Sequence, residues 1–244
     1  MLHRDELRWL PWAPLLLAQG LYARIATTRL PPAAEVEGRA GVGRAVRLVG
    51  LGDSIIAGIG VPRHSVGLLG QSARRIASRA GVAVEWSAVG ESGSTSARVI
   101  EQLLPRAVAL EPRLVLLSLG VNDAVAGVRP PQFKEHLAAI VDALASSARR
   151  PSIVFGGIPP LESFPALRWP LSRLLGERAR GLQRAAVDLV GYRGLRVVNL
   201  PPRIDARGFA PDGFHPGEAG CATWADWVAD AFALSFESLA TSAR

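Results

Sequence analysis

The chain has 244 residues, which suits one globular domain with a short extension, and a formal net charge of +7. Its 28 basic residues include a single lysine, Lys134, and the arginines are scattered without the basic stripe of a nucleic-acid-binding surface. Cys221 is the only cysteine, so an intrachain disulfide is excluded and a cysteine-based metal site is not expected.

Residues 9–23 form an apolar segment near the start of the chain. The segment is too short to span a bilayer as a helix, and two prolines, a glutamine and a glycine interrupt it. Three interpretations stay open: a helix packed on the domain, an interfacial anchor with aromatic side chains at the level of lipid headgroups, and a degenerate signal peptide. The first two predict a cytoplasmic protein, with or without peripheral membrane contact through residues 9–23, whereas the third predicts export.

The regular pattern begins after residues 27–45, a stretch rich in proline, alanine, glycine and charge that is typical of a linker. We therefore divide the chain into an N-terminal apolar segment and linker, residues 1–45, and a folded domain, residues 46–240. Short apolar runs in that domain predict strands: 46–52, 82–88, 114–119, 153–158 and 196–200. Apolar residues at helical spacing predict the helices that follow them: 65–80, 95–109, 131–148, 168–191 and 216–235.

Strands and helices alternate five times, which favours a parallel sheet with helices packed on both of its faces. The predicted strands are continuously apolar, as strands covered on both faces are. We expect a three-layer α/β/α fold with five parallel strands in the flavodoxin-like order 2-1-3-4-5. In such sheets ligands bind beyond the carboxyl ends of the strands, so the polar residues that follow each strand are the candidates for a site.

Candidate functional residues follow four of the five predicted strands. The first strand leads into Ser54, and the second into a loop of small residues, 90–95, whose backbone N–H groups can face a ligand. The third leads into Asn122, whose amide can donate to a developing oxyanion, and the fifth is followed by Asp212 and His215, a spacing that lets the carboxylate orient the imidazole. Each group taken alone is also an ordinary turn or helix cap. Together they supply a nucleophile, a base, an orienting group and oxyanion donors at one edge of the sheet.

The same residues carry a resemblance to the SGNH/GDSL hydrolase family. Four of the family's sequence blocks are present in order: G-D-S-I at 52–55, S-G-S-T at 92–95, G-V-N-D at 120–123 and D-G-F-H at 212–215. The resemblance covers about residues 46–235. Many members have an asparagine at the start of the second block, where this chain has Ala88, and residues 1–45 match no block.

The resemblance implies a serine esterase mechanism. Ser54 would be the nucleophile, His215 the base and Asp212 the group that orients the imidazole and stabilises its cation. The oxyanion would be held by the backbone N–H groups of Ser54 and Gly93 and by the side chain of Asn122. No cofactor or metal is implied. A catalytically inactive carbohydrate- or lipid-binding module is the alternative from another class, and the complete set of catalytic residues argues against it.

The sequence leaves the natural substrate and the oligomeric state open. The shallow site of the family implies short acyl esters such as acetyl esters, with a lysophospholipase or thioesterase, or a glycan O-acetyl transferase or esterase, as alternatives. We further hypothesise that a proline-rich stretch after the fourth strand walls the acyl pocket with Leu161, Phe164 and Trp169, although surface packing of a long connection would produce the same pattern. The remaining histidines are expected to be solvated side chains: His3, His64 and His136.

Overall fold

A mixed sheet of six strands forms the centre of the structure, a computed structural model that describes residues 4–26 and 28–241. The strands are β1 Glu37–Ala40, β2 Ala45–Gly52, β3 Ala83–Gly90, β4 Leu114–Ser118, β5 Ser152–Phe155 and β6 Arg196–Val197. Their order across the sheet is β1-β3-β2-β4-β5-β6. The five strands from β3 to β6 in this order run parallel, and they have the predicted order 2-1-3-4-5.

The prediction of a sheet with only five parallel strands is wrong, because β1 adds a sixth strand that pairs antiparallel with β3. Strand β1 lies within the stretch 27–45 that was interpreted as a linker. It is short and mostly solvent-facing, so it carries no apolar run for sequence analysis to detect. Its Gly38 lies directly against the indole of Trp86, where an added Cβ would come within 2.3 Å of ring atom Cζ2.

Helices cover both faces of the sheet. They are α1 Ala13–Ala26, α2 Leu68–Ala80, α3 Ser96–Arg98, α4 Leu104–Ala109, α5 Val121–Ala126, α6 Pro130–Ala145, α7 Leu171–Val187 and α8 Glu218–Thr241. Helices α2 and α8 pack with one face of the sheet in one buried cluster, and α4 to α7 pack with the other face in a second. The predicted helix 95–109 is divided by a π-helical turn, Val99–Leu103, just before Pro105, which cannot donate a backbone hydrogen bond.

Helix α6 shows how the sequence pattern produces the packing. Its apolar residues recur at helical spacing and are buried, as predicted: Phe133, Leu137, Ile140, Val141 and Leu144. Pro130 occupies the first turn, where the missing N–H costs no hydrogen bond. Each buried side chain contributes about 1.5–3 kcal/mol through removal of apolar surface from water. A Phe133→Ala change would leave a cavity and cost about 3–5 kcal/mol.

The apolar N-terminal segment forms a 3₁₀ helix, Arg4–Trp12, followed by α1. Gln19 anchors it, since its Nε2 donates to the carbonyl of Trp169 at 2.8 Å and its Oε1 accepts from the N–H of Leu171 at 3.1 Å. The rings of Trp12 and Trp169 meet edge to face with centroids 4.6 Å apart. These contacts hold the segment against the start of α7. No helix in residues 4–26 or 28–241 is long and apolar enough to cross a membrane.

Candidate active site

The carboxyl ends of β2 and β4 meet closely at Gly52. A Cβ at this position would lie 1.8 Å from the carbonyl oxygen of Ser118, so no residue with a side chain fits without moving one of the strands. The next residue continues the close approach, because the N–H of Asp53 donates to the same carbonyl at 3.0 Å. The chain then turns away from the sheet and presents Ser54 at its carboxyl edge.

Ser54, His215 and Asp212 are brought together at this edge. The Nε2 atom of His215 lies 3.0 Å from Ser54 Oγ, and its Nδ1 lies 2.6 Å from Asp212 Oδ2. The other oxygen of Asp212 accepts from the backbone N–H groups of Phe214 at 2.9 Å and of His215 at 3.0 Å. The carboxylate therefore shapes its own loop and directs the imidazole towards the serine hydroxyl.

The Asp212 side chain is completely shielded from solvent. Burial alone would raise its pKa, but the hydrogen bonds from the imidazole of His215 and from the two backbone N–H groups outweigh that effect and lower the pKa below its ordinary value. Asp212 is consequently a carboxylate at neutral pH. A fixed negative charge beside Nδ1 orients the imidazole and stabilises its cation.

The oxyanion donors predicted from the sequence are the N–H groups of Ser54 and Gly93 and the amide of Asn122. Within residues 4–26 and 28–241, the backbone N–H groups of Ser54 and Gly93 have no acceptor. Gly93 has φ +83°, a conformation that favours glycine, and a Cβ there would meet no atom within 4 Å. Asn122 is braced by donation from Nδ2 to the carbonyl of Ser94 at 3.0 Å, which leaves the second amide hydrogen for another acceptor.

Asp53 is a buried acid next to Ser54 that sequence analysis had treated only as part of a motif. It is 1% exposed, and burial raises its pKa to about 7, although Oδ1 accepts from the N–H of Ile55 at 3.1 Å. The hydroxyl of Ser118 lies 3.5 Å from the same oxygen. The sequence could not indicate this burial, because residues in a turn follow no periodic pattern of buried and exposed positions.

A second group of serine, histidine and aspartate side chains lies close by. The hydroxyl of Ser96 donates to Asp123 Oδ1 at 2.5 Å and lies 2.8 Å from His136 Nδ1. Here the serine lies between the other two side chains, whereas in the first group the histidine does. Ser96 has no exposed surface, and burial raises the pKa of Asp123 despite its hydrogen bonds from Ser96. The expectation that His136 is a solvated side chain is therefore wrong.

His64 also differs from expectation, since it is 2% exposed and its ring lies 5.7 Å from that of Trp86. Burial lowers its pKa, which keeps the imidazole neutral in this apolar setting. His3 lies outside the described residues. Among the residues described, no three or more His, Cys, Asp and Glu side chains group in a way that could hold a metal ion.

A cavity of about 390 Å³ opens beside Ser54 and His215. Its walls are mainly apolar and come from the loop after β5, the segment after β6 and the first turns of α8: Phe164, Leu200, Phe209, Phe214, Trp224 and Trp227. Two arginines, Arg203 and Arg207, stand on the same wall. Phe164 packs edge to face on both Phe209 and Phe214, with centroids 5.1 Å apart in each pair.

Of the three residues predicted to wall the acyl pocket, only Phe164 lines this cavity. Leu161 is fully buried in the core beneath the loop. Trp169 is 59% exposed and rests on Trp12, away from the cavity. Most of the remaining walls come from residues 200–227, and the others come from Asp53 to Ile55, Val121 and Pro159.

Residues 51–223 match the GDSL-like Lipase/Acylhydrolase family. The chain therefore belongs to this family of esterases and acylhydrolases, the SGNH hydrolases. It is 27% identical over 151 residues to the GDSL esterase/lipase WDL1 of Oryza sativa subsp. japonica, a match that spans 54% of this chain and 58% of the rice protein.

Solved structures share the fold. TesA superposes with a TM-score of 0.60 at 24% identity, covering 76% of this chain and 97% of TesA. The lipase/acylhydrolase from Enterococcus faecalis superposes with a TM-score of 0.59 at 19% identity, covering 78% and 96% of the two chains. At such identities the likeness extends to the α/β architecture, a mostly parallel sheet flanked by helices, and not to the substrate.

Proposed function

We propose that this protein is a serine-dependent carboxylic ester hydrolase with Ser54 as its nucleophile. The observation that carries the proposal is the continuous chain of hydrogen bonds from Asp212 through His215 to Ser54, with distances of 2.6 and 3.0 Å. Membership of the GDSL-like family supports the same chemistry. The arrangement has the connectivity of a Ser-His-Asp triad, in which the imidazole bridges hydroxyl and carboxylate.

The proposed reaction proceeds through an acyl-enzyme. Nε2 of His215 accepts the hydroxyl proton while Oγ of Ser54 attacks the ester carbonyl. The developing oxyanion is stabilised by the backbone N–H groups of Ser54 and Gly93 and by the amide of Asn122. His215 returns the proton to the leaving alcohol. Water, activated by the same imidazole, then attacks the acyl group and restores the serine.

The second cluster is a weaker candidate for the nucleophile. The hydroxyl of Ser96 already donates to Asp123 and has no solvent-exposed surface, so a substrate carbonyl could not reach it without rearrangement. Ser54, by contrast, borders the cavity. We infer that the Ser96 cluster braces the loop and helix that hold Gly93 and Asn122.

The cavity favours substrates with an acyl chain longer than acetyl. Its volume falls in the range typical of small-molecule sites. Its aromatic and aliphatic walls favour binding of an apolar acyl chain, because contact between them removes apolar surface from water. This observation favours the lysophospholipase or thioesterase alternative over the acetyl esters expected from the sequence. Arg203 and Arg207 line the cavity together with Asp205, so the two arginines exceed the one carboxylate beside them and favour a substrate with a negative charge beyond the ester.

The test combines labelling with an acyl-chain series. A fluorophosphonate probe should attach to Ser54, as read by mass spectrometry of the proteolysed protein, and the Ser54→Ala variant should not be labelled. Hydrolysis of p-nitrophenyl acetate, butyrate, octanoate and dodecanoate should show kcat/KM rising from acetate to a longer chain. Labelling at Ser96 instead would overturn the assignment of the nucleophile, and a maximum at acetate would overturn the assignment of the acyl chain.

A further inference from the structure

The solvent-facing side of α1 is mostly apolar over the positions whose side chains the structure describes. At 3.6 residues per turn, the exposed positions whose burial the structure describes in this helix fall on one side, and none of them is charged. We call its large residues the α1 outer face: Leu15, Leu17, Leu21, Tyr22 and Ile25. Their exposed fractions range from 42% for Leu15 to 75% for Leu17. Leu7 and Leu10 of the preceding 3₁₀ helix extend this surface at 51% and 49% exposed.

This exposure does not result from a helix that is detached from the domain. The opposite side of α1 contacts the domain, because Leu16 packs on the core and Gln19 is hydrogen-bonded to Trp169 and Leu171. A surface helix of a globular protein ordinarily turns its apolar side inward and its polar side outward. Here large apolar residues lie on the outer side, while the inner side carries both the apolar Leu16 and the polar Gln19. An exposed patch of this kind marks an interaction surface.

The chain as a whole is basic, with a formal net charge of +7. Residues 7–34 contain three arginines and no acidic residue, although Asp5 and Glu6 precede them and Arg8 forms an ion pair with Glu177 at 2.6 Å. A second copy of the chain would bring the same positive charge against it. An anionic lipid surface offers both apolar depth for the leucines and negative headgroups for the arginines. Charge complementarity therefore favours lipid over self-association.

The aromatic residues around α1 fit the same partner. Trp12, Tyr22 and Trp169 are 37%, 63% and 59% exposed, and such amphipathic rings favour the boundary between lipid and water. Trp169 also links this surface to the candidate active site. Its loop contains Ala166, whose N–H donates to the carbonyl of Gly213 at 3.0 Å, two residues before His215.

We propose that the α1 outer face docks on an anionic lipid surface, with the helix lying in the plane of the interface. The α1 outer face and Leu7 and Leu10 enter the boundary between headgroups and acyl chains, and the net positive charge of the chain attracts the anionic headgroups. The docking surface borders the loop that contacts the Asp212–His215 turn. The binding step does not depend on the proposed chemistry and is tested separately from it.

The experiment measures co-sedimentation of the full chain with sucrose-loaded vesicles of phosphatidylcholine alone and of phosphatidylcholine with 30 mol% phosphatidylglycerol. The wild type should bind the anionic vesicles, bind them less at high salt, and bind the neutral vesicles more weakly. The triple variant Leu17→Ser, Leu21→Ser, Ile25→Ser should lose about tenfold or more in partition coefficient, because it removes the apolar surface that enters the lipid.

A matched control carries three apolar-to-serine changes at exposed valines elsewhere: Val36→Ser, Val42→Ser and Val190→Ser. It should bind vesicles like the wild type. Both triple variants should keep their circular dichroism spectrum and their rate on a water-soluble p-nitrophenyl ester, which separates loss of docking from loss of folding. Equal binding by the α1 variant and the wild type, or absence of wild-type binding to anionic vesicles, overturns the proposal. A dimer in light scattering that the α1 variant alone converts to monomer assigns the face to a second copy instead.

Discussion

Nε2 of His215 lies 3.0 Å from Oγ of Ser54, although 161 residues separate the two along the chain. Their meeting depends on the sheet, because Ser54 follows β2 in its centre and His215 precedes α8, which packs on the face of the same sheet. The proximity is therefore a property of the topology, and each prediction for the site follows from it.

Replacing each serine in turn separates the two clusters. The Ser54→Ala change should lower kcat by about 10⁴–10⁶-fold, because it removes the nucleophile. The Ser96→Ala change should leave kcat within about tenfold and should lower the free energy of unfolding by about 1–3 kcal/mol, because Asp123 loses a buried donor. Steady-state kinetics and urea unfolding measure both effects. An inactive Ser96→Ala protein beside an active Ser54→Ala protein would reverse the assignment.

The amide of Asn122 is expected to act in the transition state rather than in binding. An Asn122→Ala change should lower kcat by about 10²–10³-fold with little change in KM, since the oxyanion forms only as the bond is made. The exposed Asn199 accepts a hydrogen bond from Gln183 and does not line the cavity, so Asn199→Ala is the control and should keep wild-type kinetics. A rise in KM at constant kcat would mean that Asn122 holds the substrate and not the oxyanion.

Filling the cavity should shift the preference for acyl length. Ala219 lies in the first turn of α8 and lines the cavity, so Ala219→Phe should shorten it. We expect kcat/KM for p-nitrophenyl octanoate to fall by about 10–100-fold while that for acetate changes little. The exposed Trp169, predicted from sequence to wall the pocket but packed on Trp12, supplies the comparison: Trp169→Ala should leave the chain-length profile unchanged. The opposite pattern would place the acyl group on the Trp169 side.

Burial of Asp53 predicts a dependence of stability on pH. Because burial raises its pKa from 3.8 to about 7, the folded state retains a proton that the unfolded chain releases in this window. The contribution of protonated Asp53 to the free energy of unfolding is fully present below about pH 4 and is lost as the pH rises through about 7. In the Asp53→Asn variant this loss is absent. Urea unfolding from pH 4 to 7 measures the free energy of unfolding as a function of pH. This free energy should fall less steeply with pH in the variant than in the wild type, by up to about 1.4 kcal/mol per pH unit. Parallel slopes in the two proteins would show that Asp53 is ionised in the folded state.

The parallel part of the sheet could be predicted because its strands are continuous apolar runs separated by helical spacing. Strand β4, with every residue buried, is the clearest case. Strand β1 could not be predicted, since four residues at an edge need no apolar run and take their order from pairing with β3. The stretch that contains β1 has the composition of a linker, and tertiary pairing overrides that composition.

The candidate site shows the same division. Ser54, Asn122 and His215 could be proposed because residues after parallel strands collect at one edge. The contact between Ser96 and His136 joins two helices of one layer, and no periodic pattern in the sequence reports which polar residues of neighbouring helices meet. The cavity walls depend on how the segment after β6 folds back over α8, which spacing along the chain does not encode.

The two edge strands of the sheet, β1 and β6, are both short, although β1 pairs antiparallel with its neighbour and β6 pairs parallel. Strand β1 offers four residues, among them Glu37 and Arg39, and β6 offers two. Short, charged edge strands give a foreign strand few free backbone groups to pair with. Pairing between the edge strands of neighbouring molecules is thereby disfavoured. This holds also where the protein is concentrated at a surface, so its edge strands should not start fibril formation there.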